Sequence, residues 1–233
     1  MLRLAVARLP ASAASRVAPA WFGQSERRRW DSTSPAARPA FVASRALLRE
    51  LLEAGTGVAG EAWRVSAEAG QAPVATSEDP AAPAMHVSLS HRLGWVAAAV
   101  CDTPVGIDLE CDRPPRSDPH ERALLMLAPE ELDHWRLVPA DEREDALLAY
   151  WTAKEAWFKA APPPSAPWDF RRVQAGPCEP AGARANVRTW RARPVHLALA
   201  CANARALATA CCEGLPPLDG QGWWRVDAIA PPS

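Results

Sequence analysis

Three carboxylates and two lysines on two short segments are the residues of this sequence best suited to chemistry. Asp108 and Glu110 lie in Val105-Gly106-Ile107-Asp108-Leu109-Glu110, and Glu155 lies between Lys154 and Lys159 in Trp151-Thr152-Ala153-Lys154-Glu155-Ala156-Trp157-Phe158-Lys159. The first segment reads as a strand, because Val105 and Ile107 are β-branched and Gly106 allows close backbone approach. With a side-chain period of two, Asp108 and Glu110 then share one face while Leu109 points into the core. Their Cα atoms would stand about 6–7 Å apart, so both carboxylates can converge on one ion. All-oxygen ligation suits Mg²⁺, whereas zinc prefers nitrogen and sulfur. Such a set is equipped to hold a divalent metal against a diphosphate.

The second segment reads as a helix. Leu147, Leu148, Trp151 and Phe158 recur near helical spacing, neither Gly nor Pro interrupts residues 145–161, and Pro162-Pro163-Pro164 stops the run. Glu155 and Lys159 are one turn apart on the same face, flanked by Lys154. Taken alone, Lys-Glu-x-x-x-Lys is also an ordinary surface ion pair, and Asp108 and Glu110 are also two solvated acids at a strand end. The two segments together are harder to read that way.

These residues resemble the 4'-phosphopantetheinyl transferases, in the long single-chain class similar to the surfactin-synthetase activator. The family's Gly-Ile-Asp-x-Glu and Trp-Ser/Thr-x-Lys-Glu-x-x-x-Lys motifs are both intact. Its Ser-His pair before a Trp-containing strand is matched by Ser90-His91-Arg92-Leu93-Gly94-Trp95, and the Leu-rich stretch at 41–52 looks like its first amphipathic helix. The resemblance covers most of residues 1–160 and fades afterwards.

What the resemblance implies is attack by a serine hydroxyl of an apo acyl- or peptidyl-carrier protein on the β-phosphate of coenzyme A, releasing adenosine 3',5'-bisphosphate. On that pattern Asp108, Glu110 and Glu155 hold Mg²⁺. Glu155, or a water it positions, accepts the serine proton. Lys159 neutralises charge on the transferring phosphate, and Lys154 assists with phosphates or carrier. Asp108, Glu155 and Lys159 are thus the catalytic candidates. Ser90 and His91 reach a phosphate of the coenzyme, and Arg45 and Arg38 match positions that hold its 3'-phosphate. Arg45 and Arg49 read equally as the polar face of an amphipathic helix.

Two departures stand out. The family's Gly-Lys/Arg-Pro is replaced by Gly70-Gln71-Ala72-Pro73, which removes one expected cation, and the glycine-containing turn after the Lys-Glu helix by Ala160-Ala161-Pro162-Pro163-Pro164. Two rival readings keep the same residues. One is a relative that binds coenzyme A or a carrier protein without transfer, and the other is a Mg²⁺-dependent phosphohydrolase. Retention of like charges that destabilise a metal-free fold argues against the first, and the Arg45, Ser90 and His91 set against the second.

Composition sets the class. With 233 residues, 48% hydrophobic and a net charge of −1, the chain can bury a substantial core and shows no bias toward nucleic acid. Arg27-Arg28-Arg29, beside Glu26 and Asp31, reads as a solvated face or, as the alternative, a phosphate contact. The six cysteines form no Cys-x-x-Cys pair, which fits reduced thiols in the cytoplasm. No stretch approaches the roughly 20 apolar residues of a membrane span, and residues 2–9 alternate as a first strand rather than as a targeting peptide.

Strand, Leu-rich helix and apolar strand occur twice, at 2–9, 41–52 and 86–100, then at 105–110, 146–161 and 195–202. Further strands are expected around Trp63-Arg64-Val65 and on either side of Arg193-Pro194, whereas 162–183 reads as loop. The expected fold class is α+β in two halves. On the resemblance, residues 1–103 would contribute to coenzyme binding and 104–233 would carry the metal and catalytic residues. The resemblance implies a pseudo-two-fold between the halves, a site at their interface, and a monomer.

Overall fold

Strands covered on both faces read as unbroken apolar runs, and two such strands organise this molecule. The computed structural model describes residues 1–10, 17–66, 68, 71–112, 118–161, 169–179 and 185–229. Gly70 and Pro162-Pro163-Pro164, singled out above, lie outside them. The strands are β1 (Leu2–Arg8), β2 (Trp63–Val65), β3 (Ala75–Ser77), β4 (His86–Arg92), β5 (Trp95–Cys101), β6 (Val105–Cys111), β7 (Val173–Pro177), β8 (Val187–Ala192), β9 (Val195–Cys201), β10 (Cys212–Glu213) and β11 (Gly220–Ala228). The helices are α1 (Gln24–Ser32), α2 (Arg38–Thr56), α3 (Pro119–Met126), α4 (Pro129–Leu137), α5 (Arg143–Ala160) and α6 (Ala204–Ala208). This is a mixed α+β chain, as the sequence led one to expect.

The first sheet has the order β10-β1-β5-β4 and the second β6-β9-β8-β11-β7, with β2 and β3 as a separate hairpin. In the first, β1 pairs antiparallel with β5 and β5 with β4. In the second, β6 pairs antiparallel with β9 and β9 with β8. β10 pairs in parallel with β1, so chain from beyond residue 200 completes the first sheet.

Three large clusters among the described residues make most of the core, with a small fourth of Phe22, Trp30 and Phe41. Leu48, Leu51 and Leu52 of α2 pack on Ala5, Val87, Ala98 and Val100 of the first sheet. Leu147, Tyr150, Ala153 and Ala156 of α5 pack on Val187, Ala198, Ala200, Trp224 and Val226 of the second. The opposite faces of both sheets meet in a shared cluster containing Val6, Ala97 and Ala99 with Ile107, Leu109, Leu197 and Leu199. β5 and β9 are therefore buried along their whole length. On β6 the alternation sends Ile107 and Leu109 into the shared cluster, leaving Asp108 and Glu110 on the α5 side.

Several elements went unread in the sequence. Arg27, Arg28 and Arg29 are exposed, as expected, but they lie on a helix, α1. α3 and α4 each open with Pro at the first helical position, after Asp118 and Ala128 respectively. That start signal is a recognised one. β7 falls inside the stretch read as loop. The β4–β5 connection is a two-residue turn with both central residues left-handed, Leu93 at φ 44° and Gly94 at φ 81°, the twist such hairpins favour.

Candidate active site

Helix α5 lies low over β6, and Gly106 is the reason it can. A Cβ at this position would stand 2.0 Å from the Ala156 carbonyl oxygen and 2.6 Å from the Ala160 nitrogen. With only a hydrogen there, Glu155 and Lys159 reach the carboxylate face of the strand. Lys159 Nζ donates to the Ile107 carbonyl at 3.1 Å and to Asp108 Oδ1 at 2.7 Å.

The same Asp108 oxygen accepts the Ser90 hydroxyl at 3.0 Å. Two donors thus converge on Oδ1, while Oδ2 is buried with no hydrogen-bond partner. An unmatched buried oxygen of this kind costs about 1–3 kcal/mol. Glu110 Oε2 also accepts no hydrogen bond, although Arg92 Nε stands 3.0 Å away in a poorly aligned ion pair.

The carboxylates feel one another. Burial raises the proton affinity of Glu155, the charge of Asp108 and more weakly of Glu110 adds to the rise, and Lys159 opposes it. Burial likewise raises Glu110, against Arg92 and reinforced by Asp108. Asp108, Glu110 and Glu155 thus act on one another through their charges, and Lys159 bonds Asp108, although their carboxylate oxygens are not gathered as closely as those of Asp112, Asp145 and His196, the one such group among the described residues. The buried, unpartnered oxygens in an all-carboxylate set fit a hard divalent cation such as Mg²⁺.

Cations border this set on the β4 and α2 sides. His91 stands exposed at the end of β4. Crowding by the protein, then the positive charges of Lys159 and Arg45, hold its imidazole below the usual range. Arg45 on α2 is nearly buried, with its guanidinium 3.6 Å from the centre of the Phe41 ring and its Nε 3.7 Å from Glu26 Oε1. Burial, opposed by Glu26 and aided by Arg49 and Arg29, pushes its pKa down to about 10. Arg49 forms a bidentate pair with Glu26 at 3.0 and 2.7 Å. Arg38 opens the same helix about two turns before Arg45, donating to the Thr33 carbonyl at 3.2 Å and stacking 4.7 Å over Trp30.

Lys154 does not join this group, which corrects its assignment as a phosphate contact. Its side chain is fully buried, and its three N–H bonds go to Glu131 Oε2 at 2.6 Å, the Phe170 carbonyl at 2.8 Å and the Met126 carbonyl at 3.0 Å. No donor remains for a phosphate. Ser90 is likewise directed inward: its single proton goes to Asp108, and it accepts from the Leu109 N–H at 3.1 Å.

Sequence reasoning missed the partners of these charges. Glu26 and Glu131 each stand at the third position of a helix and accept from the backbone N–H just ahead of it, Gly23 at 3.0 Å and Ala128 at 2.7 Å. The N-terminal pattern was the available signal. A further set was also missed, Asp112, Asp145 and His196, whose ligand atoms lie within 4.8 Å of one another. His196 Nε2 is 2.7 Å from Asp112 Oδ1, and Asp145 is already held by Arg191 and, at 3.0 Å, by Arg193. Asp145 therefore belongs to an ion-pair network.

Residues 104–212, the stretch that carries Asp108, Glu110, Glu155 and Lys159, match the sequence model of the 4'-phosphopantetheinyl transferase superfamily. The chain is 31% identical over 148 residues to the 4'-phosphopantetheinyl transferase HetI of Nostoc sp., a match covering 63% of this chain and 62% of that protein. It is 33% identical over 82 residues to a 4'-phosphopantetheinyl transferase of Bacillus subtilis, covering 35% of each chain. It is also 36% identical over 77 residues to the 4'-phosphopantetheinyl transferase psf-1 of Bacillus pumilus, covering 33% of this chain and 32% of that one. The matched stretch thus spans less than two thirds of each relative's length. Through residues 104–212, the chain is similar to the 4'-phosphopantetheinyl transferase superfamily.

Proposed function

We propose that this protein transfers the 4'-phosphopantetheine group of coenzyme A to a serine of an apo acyl- or peptidyl-carrier protein, in a Mg²⁺-dependent reaction. The observation that carries the reading is the open carboxylate set on β6 and α5: Asp108 Oδ2 is buried without a partner, and Glu110 and Glu155 adjoin it with raised proton affinities. Asp108, Glu110 and Glu155 would hold the ion. When bound, it would neutralise charge on the diphosphate and its leaving group.

The chain's own residues supply the rest. Lys159 is already fixed by Ile107 and Asp108 and is 30% exposed, so its remaining N–H can meet the transferring phosphate. Glu155, as a carboxylate whose burial favours the protonated form, is the candidate acceptor of the serine proton. His91 and Arg45 present positive or protonatable groups to the anionic coenzyme, with Arg38 beyond them. Lys154 fixes the helix through Glu131 and touches no reactant.

Two similar halves, residues 1–103 and 104–233, related by a pseudo-two-fold with the site between them, make up this reading. The shared strand order β1-β5-β4 and β6-β9-β8, each sheet with one long covering helix, supports it. A monomer acting in the cytoplasm, without nucleic acid or membrane, completes it. No helix among the described residues is long and apolar enough to cross a membrane.

Intact-mass spectrometry of apo carrier proteins incubated with the protein, coenzyme A and Mg²⁺ tests the function. The expected result is a gain of about 340 Da, the mass of the transferred cofactor arm, which disappears with Glu155→Ala. Coenzyme binding without any gain on a broad carrier panel would replace the transferase with a binding-only relative.

A further inference from the structure

β4 and β6 run side by side as edge strands of different sheets, yet they are joined by side chains rather than by a backbone ladder. The Ile107 N–H donates to Ser88 Oγ at 3.0 Å, and the Leu109 N–H donates to Ser90 Oγ at 3.1 Å. Both serines are buried. Two hydroxyls spaced by two residues thus meet two amides spaced by two, standing in for the carbonyls of a neighbouring strand.

The two serines differ in one respect. Ser90 also donates to Asp108 Oδ1, at 3.0 Å. A hydroxyl has one proton, so Ser90 has none left for a coenzyme phosphate. Lys159 meets the same oxygen from the opposite element, and between them they turn Oδ2 into the unpartnered position.

We infer that Ser90 is a positioning residue that acts through Asp108. Its hydroxyl locks the carboxylate so that Oδ2 faces the cation position, and Ser88 supplies only the seam. This rests on the metal-dependent reading of the same site and changes the role that the family resemblance implied for Ser90, from coenzyme contact to orientation of a metal ligand.

The full-length protein carrying Ser90→Ala, Ser90→Thr or Ser88→Ala distinguishes the roles. Mn²⁺ affinity is measured by calorimetry without coenzyme, and kcat and the KM for coenzyme A are measured in the transfer assay. Loss of an outer partner of a metal ligand lowers metal affinity by about tenfold to a hundredfold, and Ser90→Ala is expected to fall in that range. Its kcat should fall with it, while the KM for coenzyme A stays within about twofold, the signature of a lost interaction that does not bind substrate.

Ser90→Thr, which keeps a hydroxyl, should restore most of the metal affinity. Ser88→Ala strips an amide partner from the same seam but touches no carboxylate. It should lower the urea midpoint about as much as Ser90→Ala with Mn²⁺ affinity unchanged. A raised KM with intact Mn²⁺ affinity in Ser90→Ala overturns the inference and makes Ser90 a coenzyme contact. Equal Mn²⁺ losses in Ser88→Ala and Ser90→Ala overturn it as well, showing a loosened seam. If the wild type transfers the group but Ser90→Ala binds Mn²⁺ normally, the positioning role alone fails. If the wild type neither transfers nor binds Mn²⁺, the reading beneath it fails too.

Discussion

Consecutive residues of α5, Lys154 and Glu155, serve two buried ionic clusters made to opposite standards. About 100° of helical rotation separates their side chains. On one side Lys154 has all three N–H bonds occupied, and Glu131 receives Lys154 together with the Ala128 and Ala175 amides. On the other, Asp108 keeps an oxygen with no partner and Glu110 keeps one with only a misaligned ion pair. Buried polar groups are otherwise almost always satisfied. A saturated cluster holds elements together, whereas the unmatched lone pairs of the other are what the proposed metal would satisfy.

The sharpest way to break that contrast is to cut each cluster once. Lys154→Met leaves the Glu131 carboxylate buried without its counter-charge, in a site where burial already raises its proton affinity. Such removals cost about 3–5 kcal/mol, so urea unfolding should show a loss of this size. Adding Glu131→Leu should return much of it, because two apolar side chains can replace a buried pair. A single variant as stable as the wild type would mean that the closed cluster does not anchor α5.

Cutting the open cluster should do the reverse. Glu155→Gln removes one of several facing like charges, so the metal-free melting temperature should hold or rise, while transfer should fall by about a hundredfold to a thousandfold. The proposed metal should also couple to pH. Because folding raises the pKa of Glu110 and Glu155, the native state holds more protons than the unfolded chain in the window above their ordinary value of 4.5, and their ionisation lowers stability as pH rises through it. Mg²⁺ should offset that cost, raising the melting temperature more at pH about 7.5 than at about 5.5. Equal shifts at both values would detach the metal from these carboxylates.

Gly106→Ala tests the distance between the clusters and the strand. Its methyl would sit 2.0 Å from a backbone oxygen that cannot rotate away. α5 must lift, and overpacking of this kind costs about 1–3 kcal/mol. Activity should fall with it, since Lys159 and Glu155 ride on the displaced helix.

How much of this was legible in the sequence follows from where the information resides. Period-two alternation placed Asp108 and Glu110 on one face and Leu109 on the other, as β6 shows. Helical spacing in residues 145–161 marked α5, observed as Arg143–Ala160. What local pattern could not supply is the direction of Lys154: its partners are 16 to 28 residues away and on three other segments. A Lys-Glu dipeptide reads the same whether or not its lysine is buried. Nor could spacing show that Ser88 and Ser90 face another sheet, because that depends on two edge strands meeting.

The smallest effect concerns His91, at the rim of the open cluster. Crowding and the charges of Lys159 and Arg45 lower its pKa from 6.5, so in the free protein at pH about 7.5 the imidazole is neutral. Without ligand, the native state binds fewer protons at this site than the unfolded chain between the lowered value and 6.5, and His91 lowers stability as pH falls through that window. A phosphate beside the ring favours the imidazolium, so coenzyme binding should take up a proton. Affinity for coenzyme A should then rise as pH falls from about 7.5 to about 6, by less than the tenfold per unit that one linked proton allows. The two slopes have opposite signs, which separates a phosphate contact from a residue that is merely crowded. Calorimetry in two buffers of different ionisation enthalpy would detect the uptake, and His91→Gln should abolish it. Retention of the uptake in that variant would move the proton to another group and leave His91 outside the coenzyme site.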